Sequence, residues 1–305
     1  MDIGIYGMGR MGFNMARRLV DSGEHRVIAG NRSPGKVDEA GEHGAEGAYS
    51  VEEMVEKLNP PRVLWSMLPA GDVTDEMIDR FVELADEGDI IIDGANSYYK
   101  DSIRRAEKVR SEGLKWLDAG VSGGIWGYEV GYCTMVGGDA DAFEYAEPVF
   151  KTLAPPDGYA YLGDAGAGHF AKMVHNGVEY GMMQAYAEGF EILKKSRYDY
   201  DLRAICSLWN RGSVVRSWLL ELAERAFEKD ADLHHIQGYV EDSGEGRWTV
   251  MEAIDEDVAA NVIAASLFAR IASREEDAFA LKVLAALRGQ FGGHAIKEAA
   301  TESEK

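Results

Sequence analysis

Apolar residues recur along this chain in two rhythms, and the change from one to the other divides it. Through about residue 163 short apolar runs alternate with amphipathic stretches. Residues 2–7 read as a buried strand, Phe13, Met15, Ala16, Leu19 and Val20 then recur at helical spacing, and residues 26–30 form a second strand. The alternation continues with a helix near 51–58, a strand at 62–67, a helix at about 73–84 and a strand at 89–93. A helix at about 101–111, a strand at 115–119 and a returning strand at 133–138 follow. Beyond Gly163 the strand and turn signals stop. Residues 168–195 carry one long helical pattern, and further helices are expected at 201–210, 213–229, 249–258, 259–272 and 275–288. Pro155-Pro156-Asp157-Gly158 marks a turn near the change without forming a linker, and the chain ends in a charged stretch, Thr301–Lys305.

Composition narrows the classes. The chain has 305 residues, of which 46% are hydrophobic, enough for two domains with real cores. No apolar run approaches the roughly 20 residues that span a bilayer, and the chain starts directly on a strand pattern, so neither a membrane nor a secretion leader is expected. Cys133 and Cys206 lie far apart without metal-ligand spacing, which points to a reducing, cytoplasmic setting with no disulfide framework and no metal. The formal charge is -21, from 53 acidic and 32 basic residues. That argues against a nucleic-acid partner, because no basic face is available to release counterions. It also means that any phosphate ligand depends on a few arginines to reverse the local field.

Three stretches carry candidate chemistry. The first strand runs into Gly7-Met8-Gly9-Arg10-Met11-Gly12 and then a helix. In that context Gly7 permits a tight turn, Gly9 lets backbone approach a pyrophosphate, and Gly12 allows close helix packing. The helix N-terminus offers N–H groups to phosphate. The expected fold is therefore an α/β Rossmann domain over 1–163 and an all-α domain over 164–305. The second strand ends in Asn31-Arg32-Ser33 with no acidic residue for the ribose hydroxyls, which favours NADP through an arginine contact to the 2′-phosphate. An Arg32 that only stacks on adenine would serve NAD as well. Leu68 and Pro69 follow the next strand of the expected cofactor crevice.

Asn96 lies in a loop at the carboxyl end of a strand, where open α/β sheets bind ligands. Ser122-Gly123-Gly124 leaves backbone N–H groups uncovered and suits a carboxylate, although a plain glycine turn would read the same way. The third stretch runs from Gly168 to Tyr180. At helical periodicity it aligns Lys172, His175, Asn176 and Glu179 on one stripe of an otherwise apolar helix. Burying such a stripe for packing alone is costly.

Together these stretches resemble the β-hydroxyacid dehydrogenases and, within them, the decarboxylating 6-phosphogluconate dehydrogenases. The broad likeness lies in the N-terminal glycines, Ser122-Gly123-Gly124 and Lys172. The narrower one lies in His175-Asn176-Gly177-Val178-Glu179-Tyr180, in Gly246-Arg247-Trp248-Thr249, and in Arg288-Gly289-Gln290-Phe291-Gly292-Gly293-His294. The chain is shorter than the long enzymes and has Ser243 where they place a phosphate-binding lysine, so it resembles a short-chain branch.

The resemblance implies oxidation of 6-phospho-D-gluconate at C3, loss of CO2 and formation of ribulose 5-phosphate in the pentose phosphate pathway. It implies Lys172 as base and Glu179 as acid, with Asn176 and His175 orienting the base and holding hydroxyls. Asn96 and Ser122, Gly123 and Gly124 would hold the carboxylate end. Tyr180, Arg270, Arg288 and His294 would hold the remainder of a sugar-acid phosphate, with Arg288 and His294 reaching across a subunit interface. A homodimer or a dimer of dimers is expected. Alternatives are a relative acting on a small 3-hydroxy acid such as 3-hydroxyisobutyrate, a non-catalytic nucleotide-sensing protein, and an imine-reducing enzyme.

Overall fold

The apolar runs of the first half become eight strands of one sheet: β1 (Asp2–Tyr6), β2 (Arg26–Gly30), β3 (Glu46–Ala48), β4 (Val63–Ser66), β5 (Ile90–Asp93), β6 (Lys115–Ser122), β7 (Cys133–Gly138) and β8 (Tyr159–Gly163). Their spatial order is β3-β2-β1-β4-β5-β6-β7-β8. Every neighbouring pair is parallel except β6 and β7, which run antiparallel with Ser122 opposite Cys133. The order reverses between β1 and β4, the switch point at which such sheets open a crevice. In the computed structural model, residues 1–292 and Lys297 are described, and the chain divides into two compact units at Gly177/Val178.

Period-two alternation explains the sheet's burial on both faces. Ile3, Ile5, Val27, Ala29, Val63, Trp65, Ile90 and Ile92 join one cluster, with Met15 and Leu19 of α1 (Arg10–Asp21). Ala40 of α2 (Pro34–Glu42) belongs to the same cluster. Ile28, Leu64, Ile91 and Trp116 face the other way, onto Met54 of α3 (Val51–Lys57), Phe81 of α4 (Asp72–Leu84) and Val109 of α5 (Tyr99–Ser111). A short helix, α6 (Gly127–Val130), precedes β7, and α7 (Ala140–Leu153) packs Val149 and Phe150 onto the first face.

Several elements depart from the sequence expectation. The helix α2 was not expected, because two glycines and few apolar residues leave only nine positions of weak pattern. The helix α7 contains Pro148, ordinarily a breaker, and was not expected either. The strand β3 is a three-residue edge without an apolar run, and β8 is an edge whose apolar residues, Tyr159 to Leu162, stay largely exposed. The strand expected to stop at Ala119 continues to Ser122, because antiparallel pairing with β7 carries Gly120, Val121 and Ser122 into the ladder.

The long helix appears as α8 (Ala167–Lys195). The second unit adds α9 (Leu202–Trp209), α10 (Trp218–Lys229), α11 (Glu245–Asp255), α12 (Asn261–Ala272) and α13 (Phe279–Gly292). The helix expected at 213–229 starts only at Trp218, where Ser217 caps it by accepting the Leu220 N–H. The helix expected at 249–258 begins at Glu245, behind Gly244 at φ +92°. Phe190, Leu202, Cys206 and Leu220 form this unit's core, with Tyr186, Trp209 and Phe227 packed on it. Many apolar side chains of α12 and α13 stay exposed, among them Val262, Phe268, Phe279 and Leu281. No described helix is long and apolar enough to cross a membrane.

Candidate active site

The glycine turn has the form a dinucleotide needs. Gly7 sits at φ +113° and donates to Gly30 O at 2.9 Å, closing the turn against β2. A Cβ on Gly12 would lie 2.1 Å from Gly7 O, so that helix can approach the turn only without a side chain there. Around Gly9 there is open space within 4 Å, and α1 begins beyond it without a side-chain cap. The first-turn N–H groups are thus left for an anion, and the pyrophosphate of NAD or NADP fits this cradle. Met8 is buried and its N–H donates to Asn31 Oδ1 at 3.0 Å, so Asn31 braces the turn. Arg10, Arg32, Ser33 and Pro69 are exposed, whereas Met11 and Leu68 are half-buried. Among the described residues Arg32 forms no ion pair.

At the end of β5 the loop is held from below. Asp93 accepts from Ala95 N at 2.9 Å, Ser97 Oγ at 2.9 Å and Arg105 NH1 at 2.9 Å. Arg105 is itself buried and reaches Asp75 and Gly71 O. Asp75 is desolvated, which alone would raise its pKa, but Arg105 and Arg104 hold it below the usual value. This bracing sustains Asn96 at φ +50°. Asn96 Oδ1 accepts the Val121 N–H at 2.9 Å and its Nδ2 donates to Val121 O at 3.2 Å, tying the β5 loop to β6.

The segment that follows Ser122-Gly123-Gly124 is pinned to α1. Asn14 Nδ2 donates to Ile125 O at 3.2 Å, Arg18 NH1 donates to Tyr128 O at 3.0 Å, and Arg17 lies 4.3 Å from the Tyr128 ring centroid. Gly123 and Gly124 both have positive φ, at +145° and +54°.

The stripe on α8 forms a connected chain in the first unit. Lys172 is buried, and its Nζ donates to Asn176 Oδ1. The same oxygen lies 2.9 Å from His175 Nδ1, and His175 Nε2 lies 3.4 Å from Ser122 Oγ. With the oxygen accepting, His175 carries its proton on Nδ1 and can accept the Ser122 hydroxyl at Nε2. The arrangement orients an amine, an imidazole and a hydroxyl around one amide.

Further along α8, in the second unit, Glu179 is half-buried and Tyr180 is buried. Tyr180 OH accepts the Ser243 N–H at 3.1 Å. The Arg270 guanidinium lies 3.4 Å from the Tyr180 ring centroid and donates to Glu241 O at 3.0 Å. Ser243 Oγ donates to Glu245 Oε2 at 3.0 Å. Next to it Asp242 accepts from Arg247 Nε at 2.9 Å and Arg274 NH2 at 3.0 Å, and the Arg247 bond holds its carboxyl below the usual range. Arg288 is exposed on α13, with no hydrogen bond or ion pair to this cluster among the described residues. His294 lies outside the described residues.

Sequence reasoning did not single out Arg105, Asp93, Asp118 or Asp242. For Asp93 and Asp118 the signal is a charged residue in an apolar strand, which betrays burial but not its partner, whereas Arg105 in the charged helix α5 and Asp242 in a polar loop carry no such signal. Among the described residues no group of three or more His, Cys, Asp or Glu is placed to hold a metal ion.

Comparison with known proteins gives two matches to family models. Residues 2–163 match the NAD binding domain of 6-phosphogluconate dehydrogenase, and residues 168–303 match the 6-phosphogluconate dehydrogenase C-terminal domain. A Bacillus subtilis (strain 168) protein, named only provisionally as a 6-phosphogluconate dehydrogenase, is 48% identical over 98% of this chain and 100% of its own. An NAD(+)-dependent, decarboxylating 6-phosphogluconate dehydrogenase from Haloferax volcanii is 44% identical over 97% of this chain and 98% of its own. Among solved structures, a Plasmodium falciparum 6-phosphogluconate dehydrogenase, studied with NADP+ and with 6-phosphogluconate, superposes with a TM-score of 0.82. It shares 29% identity and is matched over 99% of this chain and 67% of that one.

Proposed function

The chain belongs to the 6-phosphogluconate dehydrogenase family, and we propose that it oxidises and decarboxylates 6-phospho-D-gluconate to ribulose 5-phosphate and CO2. The observation that carries this reading is the Lys172–Asn176–His175 chain on α8, ending beside Ser122 at the carboxylate loop. Oxidation of an alcohol needs a base at its hydroxyl, and the dinucleotide, when bound, supplies the hydride acceptor. Lys172 takes the C3 hydroxyl proton as the C3–H leaves, and its ammonium then faces the new carbonyl. The 3-keto acid so formed breaks its C1–C2 bond, releasing CO2 and leaving an enediol stabilised by that ammonium. Glu179 returns a proton to the carbon that lost CO2. His175 and Asn176 set the amine's direction and hold substrate hydroxyls. Ser122, Gly123 and Gly124 receive the carboxylate, and Asn96 keeps their strand in place.

For the phosphate, the Tyr180–Arg270 pair offers a fixed cation, and Arg288 and His294 are proposed to complete the pocket. The exposed, unpaired Arg32 supports NADP as the preferred cofactor. The NAD(+)-dependent Haloferax relative supports the opposite preference, with Arg32 stacked on the adenine. We further propose the functional domains as 1–163 and 164–305, a cytoplasmic location, and assembly as a homodimer or a dimer of dimers.

The test is nicotinamide reduction coupled to CO2 release with 6-phosphogluconate, run with each cofactor and against 3-hydroxyisobutyrate. Turnover on phosphogluconate, lowered about 10²–10⁴-fold in Lys172→Met, is the expected result. Turnover on the small acid alone would reassign the chain within the β-hydroxyacid dehydrogenases. Binding of the dinucleotide with no turnover on either would favour the sensing alternative.

A further inference from the structure

The strand that leads to the carboxylate loop also lies beneath the helix that carries Lys172. On β6, Asp118, Gly120 and Ser122 point to the same face of the sheet. Each meets a successive turn of α8. The Asp118 carboxylate, 0% exposed, accepts the Gly166 N–H through Oδ1 at 2.7 Å and the His169 N–H through Oδ2 at 2.8 Å. A Cβ on Gly120 would lie 2.4 Å from Lys172 Cβ and 3.0 Å from Gly168 O. Ser122 Oγ lies 3.4 Å from His175 Nε2. The first turn of α8 rests directly on strand backbone, since a Cβ on Gly168 would lie 2.5 Å from both Asp118 O and Met135 O.

We propose that Asp118 is a positioning residue for Lys172, acting through the backbone of α8. The proposal rests on the reading of Lys172 as the base. A buried carboxylate that accepts two N–H groups at a helix N-terminus is held by charge-assisted bonds and by the helix dipole. Two anchors fix the helix along its axis, while the absence of a side chain at Gly120 fixes how near Lys172 stands to the strand. Together they set the helix turn that carries Lys172 against the strand that carries Ser122, whose Oγ meets His175 one turn further on. Asp118 therefore contributes to the geometry of proton transfer and not to the binding of either ligand.

The experiment uses the full chain with three substitutions: Asp118→Asn, Gly120→Ala and Lys172→Met. Asparagine keeps one acceptor and turns an NH2 toward the other backbone donor. The expected result for Asp118→Asn is a fall in kcat on 6-phosphogluconate of about 10–100-fold, the cost of a misplacement near 1 Å. KM for the dinucleotide stays within about threefold, because the glycine turn is untouched. Amide exchange at Gly166 and His169 accelerates at least about tenfold, which reports the cap independently of turnover. Gly120→Ala, with the cap intact, lowers kcat to a similar extent without faster exchange at those amides.

A wild-type kcat in Asp118→Asn overturns the proposal, as does unchanged exchange. So does a loss of kcat matched by an equal loss of folded protein in thermal melts. Should Asp118→Asn fail to fold, Asp118→Ser, which is smaller and cannot accept both N–H groups, takes its place, and a wild-type kcat there overturns the proposal. Lys172→Met separates the two readings. Retained turnover removes the base, and the proposal with it, whereas loss of turnover beside a fully active Asp118→Asn overturns the positioning role alone.

Discussion

Arg32 follows β2 by two residues and is exposed, next in sequence to Asn31, which braces the glycine turn. If it meets a 2′-phosphate, Arg32→Ala removes a charge-assisted bond of about 1.5–3 kcal/mol, a rise of about 10–100-fold in KM for NADP. KM for NAD should change less than about threefold. Initial-rate kinetics with both cofactors check this, and equal effects on the two would rule out a 2′-phosphate contact. At this scale the sequence was legible where partners sit one helical turn apart. Lys172 and Asn176, four residues apart, were read as one stripe and are hydrogen-bonded. Asp118 was not legible, because the amide it caps at His169 lies 51 residues away. Nor was the second role of Asn96, whose amide is occupied by the backbone of Val121, 25 residues on.

Among the elements, α11 shows how a charged loop secures a helix start. Asp242, whose side chain is 4% exposed, joins Arg247 of α11 to Arg274 beyond α12. Those partners depress its pKa in the folded state, Arg247 most of all. A depressed carboxylate adds stability above the unfolded value of about 3.9 and loses it as pH falls through the folded value. Asp242→Asn should lower unfolding stability by about 2 kcal/mol at pH 7, and the gap should narrow below about pH 4. Urea melts across that range check it, and a gap that stayed constant down to pH 2.5 would contradict the ion-pair origin. Among the described residues the helices of this unit were legible in number, but the starts of α10 and α11 were not. Ser217 and Gly244 decide where α10 and α11 begin, through a cap and a positive φ that apolar spacing does not record. In the sheet, the antiparallel return of β7 lengthened β6 by three residues, a consequence of pairing that no local pattern carries.

For the whole molecule, the change of rhythm near residue 163 announced a sheet followed by helices. What it did not announce is how much apolar surface the helices leave uncovered. Val262, Phe268, Phe279, Leu281 and Leu284 are all more than half exposed in the single chain. Large apolar side chains left in water on two helices favour association, which supports the proposed homodimer. Sedimentation velocity at micromolar protein should give a species of twice the chain mass or four times it. A monomer with full activity would defeat the proposal. The charge of -21 acts on the same scale, because it sets self-repulsion that added salt relieves. Association should therefore tighten as ionic strength rises.

The antiparallel register of β6 and β7 sets Cys133 opposite Ser122, and Cys133 is exposed. The chain's other thiol, Cys206, is fully buried and burial pushes its pKa up to about 11. A maleimide dye at neutral pH will thus attach at one place in each chain, across the ladder from Ser122. The wild-type sequence already carries a site-specific attachment point for a fluorescent probe, beside the proposed carboxylate loop, without engineering a single residue.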